Sequence, residues 1–184
     1  MDLLTAVNLI LPKLGEHPVT GVDIRHPTLA VILPEIEQAN KNLAIKGWWF
    51  NQFEYTAYPD GEGYIYLGSN ALSFIPDSDN AVVRDQRLYN GDTRSYVWSD
   101  PVLGVITELV EFSELPESAA LAVMYSALVA AYSQDIGMSQ ELQAWASLSA
   151  SAYSDLLAEH LRHRKYTTRK SPRYFRLRAA MRGS

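Results

Sequence analysis

Cysteine is absent from all 184 residues, which excludes disulfides, thiolate metal ligands and thiol nucleophiles at once. Long apolar runs are absent too. Nothing approaches the roughly 18 consecutive apolar residues that a membrane span requires, so no membrane partner is expected. The opening Met1-Asp2-Leu3-Leu4-Thr5 lacks the basic start and small-residue cleavage site of a secretory leader, and synthesis in a cytoplasm is the expectation. There is no internal repeat. Basic residues are scarce over most of the chain: residues 1–160 hold 7 Lys and Arg against all 21 Asp and Glu, a net of −14, whereas residues 161–184 hold nine Lys and Arg and no acid. An acidic body with a basic end marks an arm that meets something acidic. That partner is nucleic acid, an acidic face of another protein, or the body of a neighbouring copy. With 47% hydrophobic residues the chain can bury a core, and its length fits one domain carrying a small excursion.

Apolar spacing divides the chain into helix, strand and helix. Leu3, Val7, Ile10, Leu11 and Leu14 recur at helical intervals behind Asp2, a good N-cap, which predicts a helix over about 2–14 ended by Gly15. A second helix is expected over about 27–46, starting at Pro27, bent or divided at Pro34 and stopped by Gly47. From Trp48 the alternation changes to period two, predicting a strand through Ala57, the turn Pro59-Asp60-Gly61 and a short return strand over Tyr64-Ile65-Tyr66-Leu67. Asn90-Gly91 predicts a second hairpin between Arg87–Tyr89 and Tyr96–Trp98, and a last strand is expected over about 105–112. A helix over about 117–134 follows Pro116, with Leu121, Met124, Tyr125, Leu128 and Tyr132 on one stripe and Gly137 as its stop. Ser139 caps a final helix over about 139–162 that presents Leu142, Trp145, Ser149, Ala152 and Leu156 on one face and small residues on its others. The fold class is therefore α+β, mainly α: a helical body made of a helical hairpin and N-terminal helices, a small antiparallel β excursion over about 48–112, and an extended basic C-terminal tail. Residues 1–160 read as a single domain and 161–184 as a basic arm.

No group of residues amounts to a catalytic or metal site. His160 and His163 are spaced to share a metal, yet only two ligands are evident among many cations, and a solvated cluster complementing a helix C-terminus is the plainer reading. Asp77-Ser78-Asp79-Asn80 resembles the start of a calcium loop but lacks its glycine and distant glutamate. Gly61-Glu62-Gly63 is a turn without the rest of a phosphate-binding loop. No nucleophile, base and orienting group stand together, so no enzyme activity and no cofactor are expected. Trp48 and Trp49 read as core residues. Tyr64 and Tyr66 read as contacts to another subunit, since tyrosine is enriched at interaction hot spots.

Three segments resemble the tail tubular protein A family of podoviruses, the head-to-tail adaptor ring below the portal. They are Ala6-Val7-Asn8-Leu9-Ile10-Leu11 with Leu14-Gly15-Glu16 and Pro18-Val19; Ala39-Asn40 through Ile45-Lys46-Gly47-Trp48-Trp49-Phe50-Asn51; and Glu111-Phe112-Ser113-Glu114-Leu115-Pro116-Glu117. Each is weak alone. Together, in order and at similar spacing, they frame residues 6 to about 160. The resemblance implies a structural virion protein of a short-tailed phage, located at the head–tail junction. It implies a ring, a dodecamer of about twelve copies, that joins the portal protein to a tail nozzle similar to tail tubular protein B and lets the genome pass through its lumen.

The basic end departs from that pattern. Arg162, Arg164, Lys165, Arg169, Lys170, Arg173, Arg176 and Arg178 are interleaved with Tyr174 and Phe175. Docking on the portal or a neighbouring subunit, with ordering on binding, is the favoured reading; direct DNA contact and a solvated extension are the others. The alternative function is a nucleic-acid-binding protein that acts through this tail. The acidic body suits a lumen that DNA must cross, because acidic walls repel phosphates that basic walls would retain.

Overall fold

The structure, a computed structural model, describes residues 1–77, 80–135 and 139–164. Helix α1 (Leu3–Ile10) begins where the Asp2 carboxylate accepts the Thr5 N–H at 2.7 Å, and that bond holds the Asp2 pKa below its ordinary value. Pro12 has no N–H to give an α-helix, and the chain tightens at this point into a 3-10 turn over Leu11–Leu14. Gly15, at φ 81°, ends it. Helix α2 (Leu29–Ala44) starts two residues later than Pro27. It continues unbroken through Pro34, which is exposed along with Ala30, so the carbonyl that Pro34 leaves without a donor faces solvent.

Helix α3 (Glu117–Asp135) packs against both α2 and α4 (Gln140–His163). Its burial is wider than one stripe. Met124, Leu128 and Tyr132 are buried as expected, but so are Ala119, Ala120, Ala122, Val123, Ala127 and Ala131, because alanine lets two helices approach from different sides. The Ser139 hydroxyl accepts the Leu142 N–H at 3.1 Å and caps α4. Only one side of α4 is covered: Leu142 and Leu156 are buried and Trp145, Ser149 and Ala152 half-buried, while Ala146, Ala150, Leu157 and Leu161 are exposed. Gly137, the expected stop, lies outside the described residues. These helices, the 3-10 turn Phe112–Glu114 and Trp48 share one core.

Between α2 and α3 the chain leaves the helices and returns. Strands β1 (Gln52–Ala57), β5 (Val102–Glu108) and β2 (Ala71–Pro76) form an antiparallel sheet in the order β1-β5-β2. Strands β3 (Ala81–Arg84) and β4 (Arg87–Asn90) form a separate hairpin. A second core of Ala57, Ile65, Leu67, Phe74, Ala81, Leu88, Val102 and Ile106 lies here. The α+β, mainly α fold with a small antiparallel β excursion is thus as the sequence indicates.

Several strand expectations change. The first strand begins at Gln52 rather than Trp48, because the side chain of Asn51 bonds back to the main chain and holds Trp48–Asn51 as a turn. Tyr64 and Tyr66 make isolated bridges, to Val97 and Arg87, and not a strand. The tight hairpin turns at Asp85-Gln86, with φ of 49° and 57° between the paired Arg84 and Arg87, the type I′ pattern without glycine. Asn90-Gly91 begins a longer loop instead: the Asn90 carboxamide accepts the N–H groups of Asp92 and Thr93, and Asn90 bridges Ser95. The last strand ends at Glu108, short of Phe112.

Candidate functional site

The two places singled out by the sequence, the root of the basic tail and the tyrosine pair, lie on different units. The tail leaves α4 beside the joint between the helices and the β excursion. That joint is built around Asn51, which has no exposed surface. Its Oδ1 accepts the Trp48 N–H at 2.8 Å, and its Nδ2 donates to the carbonyls of Ala44 at 2.9 Å and Glu108 at 2.8 Å. One carboxamide therefore ties the end of α2, the start of the excursion and its last strand together. Trp48 is buried, with its Nε1 donating to the Leu43 carbonyl at 2.8 Å.

The last turns of α4 lie on this joint. The His160 ring meets Trp48 edge-on, with centroids 5.3 Å apart, and His163 stacks on Trp49 at 4.6 Å and 3°. The core reading of Trp48 holds, and half-buried Trp49 is a platform for the tail root as well. Desolvation, followed by the nearby Arg164 cation, lowers the His160 pKa from its ordinary value. Glu159 accepts from the Ser118 hydroxyl on α3 and lies 3.7 Å from His163. Arg164 donates to the Gln52 side chain at the first residue of β1. Of the expected tail contacts, Arg162 and Arg164 are described and both are exposed. Lys165, Arg169, Lys170, Arg173, Tyr174, Phe175, Arg176 and Arg178 lie outside the described residues.

The tyrosine pair does come together. Tyr64 and Tyr66 meet edge-to-face at 6.3 Å, and Tyr66 is 55% exposed. The sequence did not reveal the group that organises them: the Arg87 guanidinium lies 5.9 Å, 5.8 Å and 4.8 Å from the ring centroids of Tyr64, Tyr66 and Tyr96. Arg84 covers Tyr89 at 4.0 Å. Both arginines flank the two-residue hairpin, a signal visible only once that turn is placed correctly. Interleaved cations and tyrosines form adaptable, hydrogen-bonding contact surface. Among the described residues no group of three or more His, Asp or Glu is arranged to hold a metal ion, and no helix is long and apolar enough to cross a membrane.

The helical body and the aromatic β excursion are joined at one polar knot. The tail tubular protein family matches residues 4–166. The chain belongs to the tail tubular protein family. Tail tubular protein A of Klebsiella phage KP34 is 30% identical over 182 residues, covering 98% of each chain. The resemblance carried by the three sequence segments is therefore correct. As a tail tubular protein the chain is a structural component of a phage virion tail, associated with other tail and virion proteins. The match includes the joint, the Tyr–Arg cluster and the root of the basic end.

Proposed function

We propose that this tail tubular protein is the ring-forming adaptor that joins the portal to the tail nozzle. Residues 1–160 act in it as a single adaptor domain and 161–184 as a basic arm. About twelve copies meet head to tail around a lumen through which the genome passes, which requires two different patches on each copy. Membership of the family along residues 4–166 carries the reading. The open side of α4 and the Tyr–Arg cluster supply distinct patches of the kind such a ring needs, and the acidic body suits a channel that must not retain DNA. The adaptor acts through surface complementarity, without a catalytic step and without a cofactor.

Native mass of the purified chain, alone and with its cognate portal ring, tests this. A species of about twelve copies, or portal-dependent addition of about that many, is the expected result. A monomer that ignores the portal but binds duplex DNA, with log affinity falling at a slope of about −8 against log salt, overturns it in favour of nucleic-acid binding through the tail.

A further inference from the structure

A cleft of about 680 Å³ lies between the helices and the β excursion, within the size range of ordinary binding pockets. Its α2 wall is made by Leu33, Ile36, Glu37 and Asn40. The α2 residues that share a groove with α4 are Ala39, Asn42 and Leu43. At 3.6 residues per turn the two sets point roughly 120° apart around the helix, so the cleft opens on a different side of α2 from the helix that carries the tail.

Three observations describe what the cleft would hold. Its rim carries the exposed carboxylates Asp23, Glu37 and Glu111. Glu37 pairs with Lys41, whereas no ion pair among the described residues engages Asp23 or Glu111. Between them the surface is apolar, made by Leu3, Val22, Leu33 and Leu109. Its buried wall contains Asn40, only 7% exposed. The Asn40 Nδ2 donates to the Val110 carbonyl at 2.8 Å, but its Oδ1 is buried without a hydrogen-bond partner. A buried acceptor left without a donor is costly and rare. The cleft thus fits a segment that brings aromatic surface and cationic charge together.

We propose that the cleft receives the C-terminal end of a neighbouring copy, with Tyr174-Phe175 on the apolar wall and Arg173 and Arg176 at Asp23 and Glu111. The match is of chemistry: the only acid-free, cation-rich stretch of the chain is residues 161–184, and its aromatics stand beside its arginines. The 11 residues from Lys165 to Phe175 span up to about 40 Å when extended. A head-to-tail ring brings opposite sides of successive copies together, which is what an arm leaving one side of the body and a receptor on another require. The proposal rests on the ring reading above.

The test places the photo-crosslinker p-benzoylphenylalanine at position 175 of the full-length chain. This chain is mixed with an isotopically heavy copy, assembled with the portal, irradiated and mapped by mass spectrometry. Heavy-to-light cross-links into residues 22–40 or 109–112 are expected. They should be lost with Asp23→Lys plus Glu111→Lys, and regained when Arg173→Glu and Arg176→Glu are added to the crosslinking chain. Cross-links within one chain, into the portal or elsewhere on the neighbour, or none in an assembled ring, overturn the inference and leave the ring reading standing. Absence of any assembly, read from native mass of the same samples, overturns the ring reading and the inference with it.

Discussion

Replacing Asn51 by alanine is expected to loosen the joint between the helices and the β excursion, and the size of the effect follows from its bonds. Three hydrogen bonds of 2.8–2.9 Å are lost at a fully buried position. The Ala44 carbonyl keeps the Gly47 N–H at 3.1 Å and the Glu108 carbonyl is only partly buried, so the full desolvation penalty falls on the buried Trp48 N–H. Three bonds at about 1 kcal/mol each, with a further 1–3 kcal/mol for the orphaned donor, give a loss of about 4–6 kcal/mol. With a urea m-value of about 2 kcal/mol/M the unfolding midpoint should fall by about 2–3 M. Fluorescence of Trp48, isolated by replacing Trp49, Trp98 and Trp145 with Phe, follows the transition at the joint itself. Asn51→Asp sharpens the test. It keeps the acceptor but turns a carboxylate oxygen toward two carbonyls, and burial with those neighbours raises its folded pKa above the unfolded value of about 3.9. For an acid raised in this way the penalty is small below the unfolded pKa and grows as pH rises through the folded one. The Asp variant should therefore be weaker than Ala at neutral pH and gain on it near pH 4. A loss below about 1 kcal/mol for Asn51→Ala, or parallel pH profiles for the two variants, would refute the reasoning.

The remaining expectations concern other positions in the same scaffold. Because the His160 pKa is lowered in the fold, the unfolded chain takes up its proton first, and stability should decline as pH falls from about 6.5 through the lower folded value. His160→Phe should remove that part of the decline, read from urea midpoints at neutral and acid pH. Gln86→Gly relieves a side chain held at φ 57° and should add about 0.5–1 kcal/mol, a rise of about 1–4 °C in Tm. In Gly104→Ala the new Cβ would meet the Ile75 carbonyl oxygen at 2.5 Å and the Phe74 ring at 2.7 Å. A loss of about 2 kcal/mol is expected, with amide exchange accelerating along β2 and β5 first.

Helices were legible because their signals are local and redundant. Asp2, Ser139, Gly15 and Gly47 each mark a boundary through their own side chain or φ, and apolar spacing fills the interval. The excursion was legible in kind and not in detail. Its hairpin turn uses Asp85-Gln86, which lacks the glycine that marks a type I′ turn in sequence, because tertiary pairing of β3 with β4 tolerates the strained backbone at Gln86. Asn90-Gly91, the stronger local signal, was diverted by the Asn90 side chain into a longer loop. Strand β2 was missed because its edge position next to β5 is set by a partner some thirty residues away. At the candidate surfaces, Tyr64 and Tyr66 could be picked as a pair from their spacing, but Arg87, Tyr89 and Tyr96 gather around them only through the folded chain. The stacking of His163 on Trp49 joins residues more than a hundred positions apart, and no pattern in either segment announces it.

Gln52 faces Thr107 across the first rung of β1 and β5, so the 54 residues between them begin and end at one spot on the helical body. From the standpoint of the helices this stretch is a single long loop with closed feet. Loop length costs little once the feet are fixed, and the feet are fixed by Asn51 and the first rung. The tip of the excursion can therefore lengthen, shorten or exchange its surface without moving α2, α3 or α4. A lineage adapting to a new counterpart can rebuild its outermost contacts here while the geometry that spaces the helices stays as it is.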